Sequence, residues 1–165
     1  VTKIVRGLAE EPTRYIVGRL RQIDRKEIFA TREDTDEEHL LFDLMYVAEK
    51  PGLHFTAFAG DGEPVAVFGY SRLREGVATL FAFGTDRWKE VVLSMTKVIL
   101  RVIFPTLTDE GYHRADCAAL KERADTAKWL PFLGLSCEAV LAGFGSQRED
   151  FSLYVWRPER VLQEG

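Results

Sequence analysis

Gly76-Val77-Ala78-Thr79-Leu80-Phe81-Ala82-Phe83-Gly84-Thr85-Asp86-Arg87-Trp88-Lys89 is the stretch whose reading decides the fold. Up to Phe83 the residues alternate, with Val77, Thr79, Phe81 and Phe83 on one face, as a strand requires. Beyond Gly84 the period changes. From Asp86 to Phe104 the apolar residues Val91, Val92, Met95, Val98, Ile99, Val102 and Ile103 recur at helical spacing, with Thr85 available as N-cap and Pro105 as the stop. Tyr112 to Ala118 then reads as another strand. A strand–helix–strand crossover of this length is right-handed and sets its two strands parallel.

Upstream, Leu53 to Ala59 and Pro64 to Tyr70 alternate around Gly60-Asp61-Gly62-Glu63, which predicts an antiparallel hairpin. Thr2 to Arg6 predicts a short first strand, and Pro12 opens a helix that places Ile16, Leu20 and Ile23 on one face. Thr35 with Glu38 forms a capping box for a second helix carrying Leu40, Leu44 and Val47, which ends near Lys50-Pro51-Gly52. Downstream, a helix from Asp125 to Leu133 is closed by Gly134, and Ser136 to Phe144 and Asp150 to Trp156 form a final hairpin. The expectation is one α/β (α+β) domain over residues 1–158, with a peripheral tail at 159–165. Its mixed sheet has seven strands, the first four antiparallel and strands four and five parallel, with four helices.

A chain of 165 residues with 46% apolar content buries an ordinary core without a metal or disulfide. Lys and Arg number 22 against 26 Asp and Glu, with no basic run, so non-specific DNA binding is disfavoured, and no sequence-specific nucleic-acid partner is expected. The acidic run Glu33, Asp34, Asp36, Glu37 and Glu38 suits a helix start. Cys117 and Cys137 lack zinc spacing and are expected to be buried, inert thiols in a reducing interior. His39, His54 and His113 contain no pair at metal-binding spacing, so no metal is expected. No stretch of about 18 uncharged apolar residues appears, and Val1 to Arg6 is too polar for a signal peptide, so the expected location is the cytoplasm.

The order of elements, together with Ala127-Lys128-Trp129-Leu130-Pro131-Phe132-Leu133-Gly134-Leu135, resembles the Gcn5-related N-acetyltransferase (GNAT) superfamily over nearly the whole chain. Within it, four pieces resemble the acyltransferase-like proteins of short-tailed phages, the internal virion protein A type. They are Asp24-Arg25-Lys26-Glu27-Ile28-Phe29-Ala30, Gly62-Glu63-Pro64-Val65-Ala66-Val67-Phe68-Gly69, Phe83-Gly84-Thr85-Asp86 and Trp129-Leu130-Pro131-Phe132-Leu133-Gly134.

The resemblance implies an acyl-CoA N-acyltransferase fold whose cofactor, acetyl-CoA or another acyl-CoA, would lie against Phe83, Gly84, Thr85, Arg87, Trp88 and Lys89. The superfamily's turn there usually reads Arg or Gln, two residues, Gly, one residue, Gly or Ala. Bare N–H groups at a helix start then hold the pyrophosphate. This chain has one glycine, a capping Thr85, an acidic Asp86 and a bulky Trp88, with Arg87 and Lys89 as partial compensation. Leu130 stands where the superfamily commonly has a tyrosine acid, and no base lies on the fourth strand. Tyr70 and Tyr112 are the remaining catalytic candidates, while Phe81 and Phe83 are placed to plug the cleft. Two functions follow. One is a phage protein, virion-associated or binding phage or host proteins, in the host cytoplasm or packaged in the particle, with a degenerate acyl-CoA site. The other is an acyl-CoA-dependent N-acetyltransferase acting on an amine of a protein or small molecule.

Overall fold

Residues 1–159 are described by the computed structural model, so the tail assigned to 159–165 lies, beyond Glu159, outside the described residues. Its elements run β1 (Lys3–Arg6), α1 (Glu10–Val17), α2 (Gln22–Ala30), α3 (Glu37–Ala48), β2 (Gly52–Phe58), β3 (Pro64–Arg74) and β4 (Val77–Gly84). A long helix α4 (Trp88–Asp109), β5 (Arg114–Leu120), α5 (Ala124–Leu133), β6 (Ser136–Leu141) and β7 (Phe151–Trp156) complete the chain. The seven strands form one sheet in the order β1-β2-β3-β4-β5-β7-β6. Every neighbouring pair is antiparallel except β4 and β5, which are parallel as the crossover requires.

Helices cover both faces. Ala66, Phe68 and Tyr70 of β3 pack toward Val91, Met95 and Ile103 of α4, whereas Val67 and Phe83 pack on the other face against Ile16, Phe29 and Leu40 of α1, α2 and α3. Burial on both faces explains why Val65 to Phe68 is an unbroken apolar run.

The first predicted helix is two. Leu20 forms a β-bridge to Thr85, and the Arg21 N–H donates to the Gly84 carbonyl at 2.9 Å, so this backbone serves the sheet instead of continuing α1. The described residues therefore contain five helices where the pattern predicts four. The cap of α3 is Asp36, not Thr35, because its Oδ1 accepts from the N–H groups of Glu38 and His39 at 2.8 and 3.4 Å. α4 starts at Trp88, two residues after the expected Asp86, because Thr85 to Trp88 close a turn in which the Trp88 N–H donates to the Thr85 carbonyl at 3.0 Å.

Pro105 does not stop α4. Residues Ile99–Ile103 form a π turn in which the Phe104 N–H donates to the Ile99 carbonyl. The wider turn relieves the clash between a proline ring and the carbonyl four residues earlier. It also keeps Val91, Met95, Ile99, Ile103 and Leu107 buried on one face, although a spacing of four would drift around a uniform α-helix. By length and composition α4 is apolar enough to cross a membrane; here its buried stripe lies against the sheet. β5 begins at Arg114, not Tyr112, since the N–H groups of Tyr112 and His113 donate to Leu107 and Gly76 carbonyls.

Two positive-φ glycines differ in the space around them. Gly134 closes α5 in the left-handed region at φ 100° with open space around it, whereas a Cβ on Gly69 would overlap the Leu53 carbonyl oxygen of the paired strand. We expect Gly134→Ala to lower unfolding free energy by about 1 kcal/mol. Gly69→Ala should cost about 3 kcal/mol, both read from urea denaturation. Equal effects would contradict this contrast.

Candidate functional site

β4 and β5 pair only where they begin, at Val77 with Arg114, Ala78 with Ala115 and Thr79 with Asp116. Beyond Thr79 they separate. β4 continues along β3 to Gly84, and β5 continues along β7 to Leu120. The separation leaves a cleft of about 640 Å³. Leu80, Ala82 and Phe83 line its β4 side, Cys117, Ala118 and Ala119 its β5 side, and Trp88, Val92, Trp129 and Leu130 come from α4 and α5. Phe81 and Phe83 therefore line the cleft without plugging it, because both belong to the strand face turned toward α1, α2 and α3.

A strand end without a neighbour has backbone groups to satisfy. α2 supplies two carboxylates one turn apart for that purpose. Asp24 Oδ2 accepts from the Gly84 N–H at 2.9 Å, and Glu27 Oε2 accepts from the Leu120 N–H at 3.0 Å. Arg123, itself buried, joins them through contacts to Asp24 at 2.9 Å, Glu27 at 3.0 Å and Asp125 at 2.9 Å. Arg21 grips Asp24 with two hydrogen bonds, at 2.9 and 3.0 Å, and stacks over the Trp88 ring. These charges form a strap across the two diverging strands.

The strap changes the turn expected to hold a cofactor. The Gly84 N–H is taken by Asp24, and the Thr85 N–H donates to the Val65 carbonyl at 2.8 Å. Arg87 N–H donates to Thr85 Oγ1 at 3.3 Å, and the Trp88 and Glu90 N–H groups donate to the carbonyls of Thr85 and Arg87. The Arg87 guanidinium is bound by Asp61 at 2.9 Å, by Glu63, and by Glu90 at 2.8 Å, so it does not compensate for a missing nest. These three carboxylates also raise its pKa. Lys89 is exposed on the first turn of α4, and Trp88 packs edge-on against Trp129. A Cβ on Gly84 would lie 2.5 Å from the Val65 carbonyl oxygen, so this glycine is required by strand packing. The residues present do not fit a pyrophosphate.

Tyr70 and Tyr112 stand outside the cleft lining. The buried Tyr70 hydroxyl donates to Glu110 Oε2 at 2.9 Å, and its ring meets Tyr112 edge-on. Burial and Glu110 raise its pKa. Leu130 is buried in the core, and the neighbouring Trp129 Nε1 donates to Thr96 Oγ1 at 2.9 Å. The groups missed in the sequence are Arg21, Asp24, Glu27 and Arg123. The acid pair at i, i+3 in Asp24-Arg25-Lys26-Glu27 is the signal for two of them; nothing local distinguishes Arg123.

Desolvation raises the Glu27 carboxyl, opposed by Arg123 and the Leu120 N–H. Desolvation also pushes the Cys117 thiol up to about 12, with the charges of Glu27 and Asp116 adding to it, which makes it a poor nucleophile. Contrary to expectation, Cys137 is exposed, because β6 is an edge strand, and Cys117 is only half-buried, because it lines the cleft. Cys117 and Cys137 both pair with Tyr154, one on each side of β7, so the intervening strand keeps them apart. Among the described residues no group of three or more His, Cys, Asp or Glu is placed to hold a metal ion.

Comparison with solved structures agrees with this architecture. The ribosomal-protein-S18-alanine N-acetyltransferase of Escherichia coli superposes with a TM-score of 0.69 at 14% identity, covering 100% of this chain and 99% of that one. A phosphinothricin acetyltransferase of Sinorhizobium meliloti in complex with acetyl-CoA gives 0.71 at 10% identity, covering 94% and 88%. A spermidine N-acetyltransferase of Vibrio cholerae gives 0.69 at 13% identity, covering 94% and 93%. No protein-family model matches the chain, and no curated protein matches it in sequence. The chain has the fold of the GNAT acetyltransferases, with parallel β4 and β5 diverging around the cleft.

Removing Asp24 leaves Arg123 and Arg21 short of a counter-charge and the Gly84 N–H unpaired. Asp24→Ala should cost about 3–5 kcal/mol in urea denaturation. A loss under 1 kcal/mol would show that the strap does not hold the strands.

His54, buried with Nε2 2.9 Å from Ser71 Oγ and its ring stacked on Phe81, has its pKa lowered by burial and by the charge of Arg6. The unfolded chain then takes up a proton that the folded one resists, so stability is full above the unfolded pKa of about 6.5 and falls as pH drops through the folded value. His39 acts above that window, because Asp34 and Asp36 raise its pKa. Unfolding free energy measured between pH 7 and 5 should therefore depend less on pH in His54→Gln than in the wild type, and an identical slope would contradict the assignment.

Proposed function

We propose that this chain is a GNAT-fold binding protein without acyl-CoA-dependent catalysis, working in a phage particle or on a phage or host protein. The observation that carries the reading is the occupancy of the turn before α4. Five of its N–H groups, those of Gly84, Thr85, Arg87, Trp88 and Glu90, are already bonded within the protein, leaving those of Asp86 and Lys89, and the Asp24 carboxylate holds an acceptor position that a phosphate oxygen would need. An incoming pyrophosphate would meet Asp24 and Asp86 and find Arg87 committed to three acids. The four phage-like pieces supply the setting, and two of them, Asp24 to Ala30 and Phe83 to Asp86, meet in the Asp24 to Gly84 hydrogen bond.

A second reading, an N-acetyltransferase using acetyl-CoA on an amine of a protein or small molecule, is favoured by the open cleft and by the acetyl-CoA complex of the Sinorhizobium enzyme. In that reading Glu27, with its raised carboxyl pKa, is the cleft group suited to accept a proton. Fold alone carries no activity.

Thermal unfolding with millimolar acetyl-CoA separates the two. The first reading expects no change in Tm; a bound cofactor at about 100 times its Kd adds roughly 2.7 kcal/mol and a clear rise. Mass spectrometry of purified virions should detect the chain, and its absence would remove the particle role.

A further inference from the structure

We infer that the cleft between β4 and β5 is a binding site for a neutral, mainly apolar molecule carrying a single hydroxyl, which can both donate and accept. This rests on the reading that the cofactor turn is closed. At about 640 Å³ the space is within the range of small-molecule sites, and a close-packed interior does not leave such a volume between two strands by default. Its walls are aromatic and aliphatic, with Phe83, Trp88 and Trp129 opposite Ala118 and Ala119.

Charge selects the ligand class. Three arginines line the cleft, and each has its carboxylate. Arg21 is held by Asp24, Arg123 by Asp24, Glu27 and Asp125, and Arg32 by Asp43 at 2.6 Å. A carboxylate or phosphate entering here loses its hydration without gaining a free cation. Two polar groups on the lining keep open valences. Both hydrogen bonds of Glu27 fall on Oε2, and the buried Arg32 Nε–H has no partner among the described residues. Because Arg123 already balances the Glu27 carboxylate at 3.0 Å, an ammonium would be placed beside a guanidinium. A neutral hydroxyl donates to Glu27 Oε1, or accepts from Arg32 Nε–H, without that repulsion.

The test compares molecules with one eight-carbon chain and different heads, 1-octanol, octanoate and octylamine, alongside acetyl-CoA, in thermal unfolding of the full chain. At about 100 times its Kd, 1-octanol should raise Tm by about 5 °C or more, with smaller effects from the two charged molecules. Ala118→Phe and Ala82→Phe fill the cleft from its two sides and should each abolish the octanol response; the variant that folds decides if the other does not. Silence from both octanol and acetyl-CoA overturns this inference and leaves the closed-turn reading standing. A response to acetyl-CoA that octanol competes away overturns the closed-turn reading and, with it, the charge argument. A larger effect of octylamine or octanoate, or an octanol response that survives in the folded filled variants, also overturns the inference.

Discussion

Asp24 and Glu27 lie one helical turn apart, and each receives a backbone N–H from a strand that has parted from its parallel neighbour. A split sheet exposes donors and acceptors that would cost about 1–3 kcal/mol each if buried without partners. Arg123 and Arg21 neutralise the two acids where water is scarce. Such an ion cluster is weak evidence for net stability, since desolvation offsets much of its attraction. Its evident effect is positional: α2 is set across the split, and the ends of β4 and β5 are held apart.

That placement decides what the cleft can accept. The same Asp24 oxygen that satisfies β4 removes a backbone donor from the turn before α4, and the N–H groups of Thr85, Arg87, Trp88 and Glu90 close on Val65, Thr85 and Arg87. Positive charge nearby does not restore an anion site, because Arg87 faces Asp61, Glu63 and Glu90. What survives is the apolar part of the gap, where α4 and α5 meet the bare edges of two strands. The cleft stays open while most of the N–H groups of the turn before α4 are bonded within the protein.

Alternation in Val77 to Phe83 and the apolar stripe of α4 made the sheet order and the parallel crossover legible, because a burial pattern repeated over many residues outweighs any single exception. Single exceptions were where local rules failed. Pro105 reads as a helix stop, yet the π turn before it accommodates the ring and keeps Leu107 on the core. Gly18 to Arg21 interrupts a plausible helix because Leu20 and Arg21 bond to Thr85 and Gly84. At the site, Gly84, Thr85 and Arg87 stood out as a departure from a phosphate-binding pattern. The partners that occupy them come from Asp24, 60 positions away, from Val65 on β3 and from the β2–β3 turn.

The amino-acid sequence alone determined the architecture of this protein, through hydrophobic periods of two and about 3.6 and through turn glycines, since those signals act over neighbouring residues. It also determined that the turn after Phe83 lacks the glycines of an open nest. Only the tertiary structure decided that a carboxylate takes the Gly84 N–H, that Phe81 and Phe83 leave the cleft open, and that Arg123 balances Asp24 and Glu27. These are contacts between segments far apart in the chain, and their energies depend on distance and burial, neither of which a linear pattern contains.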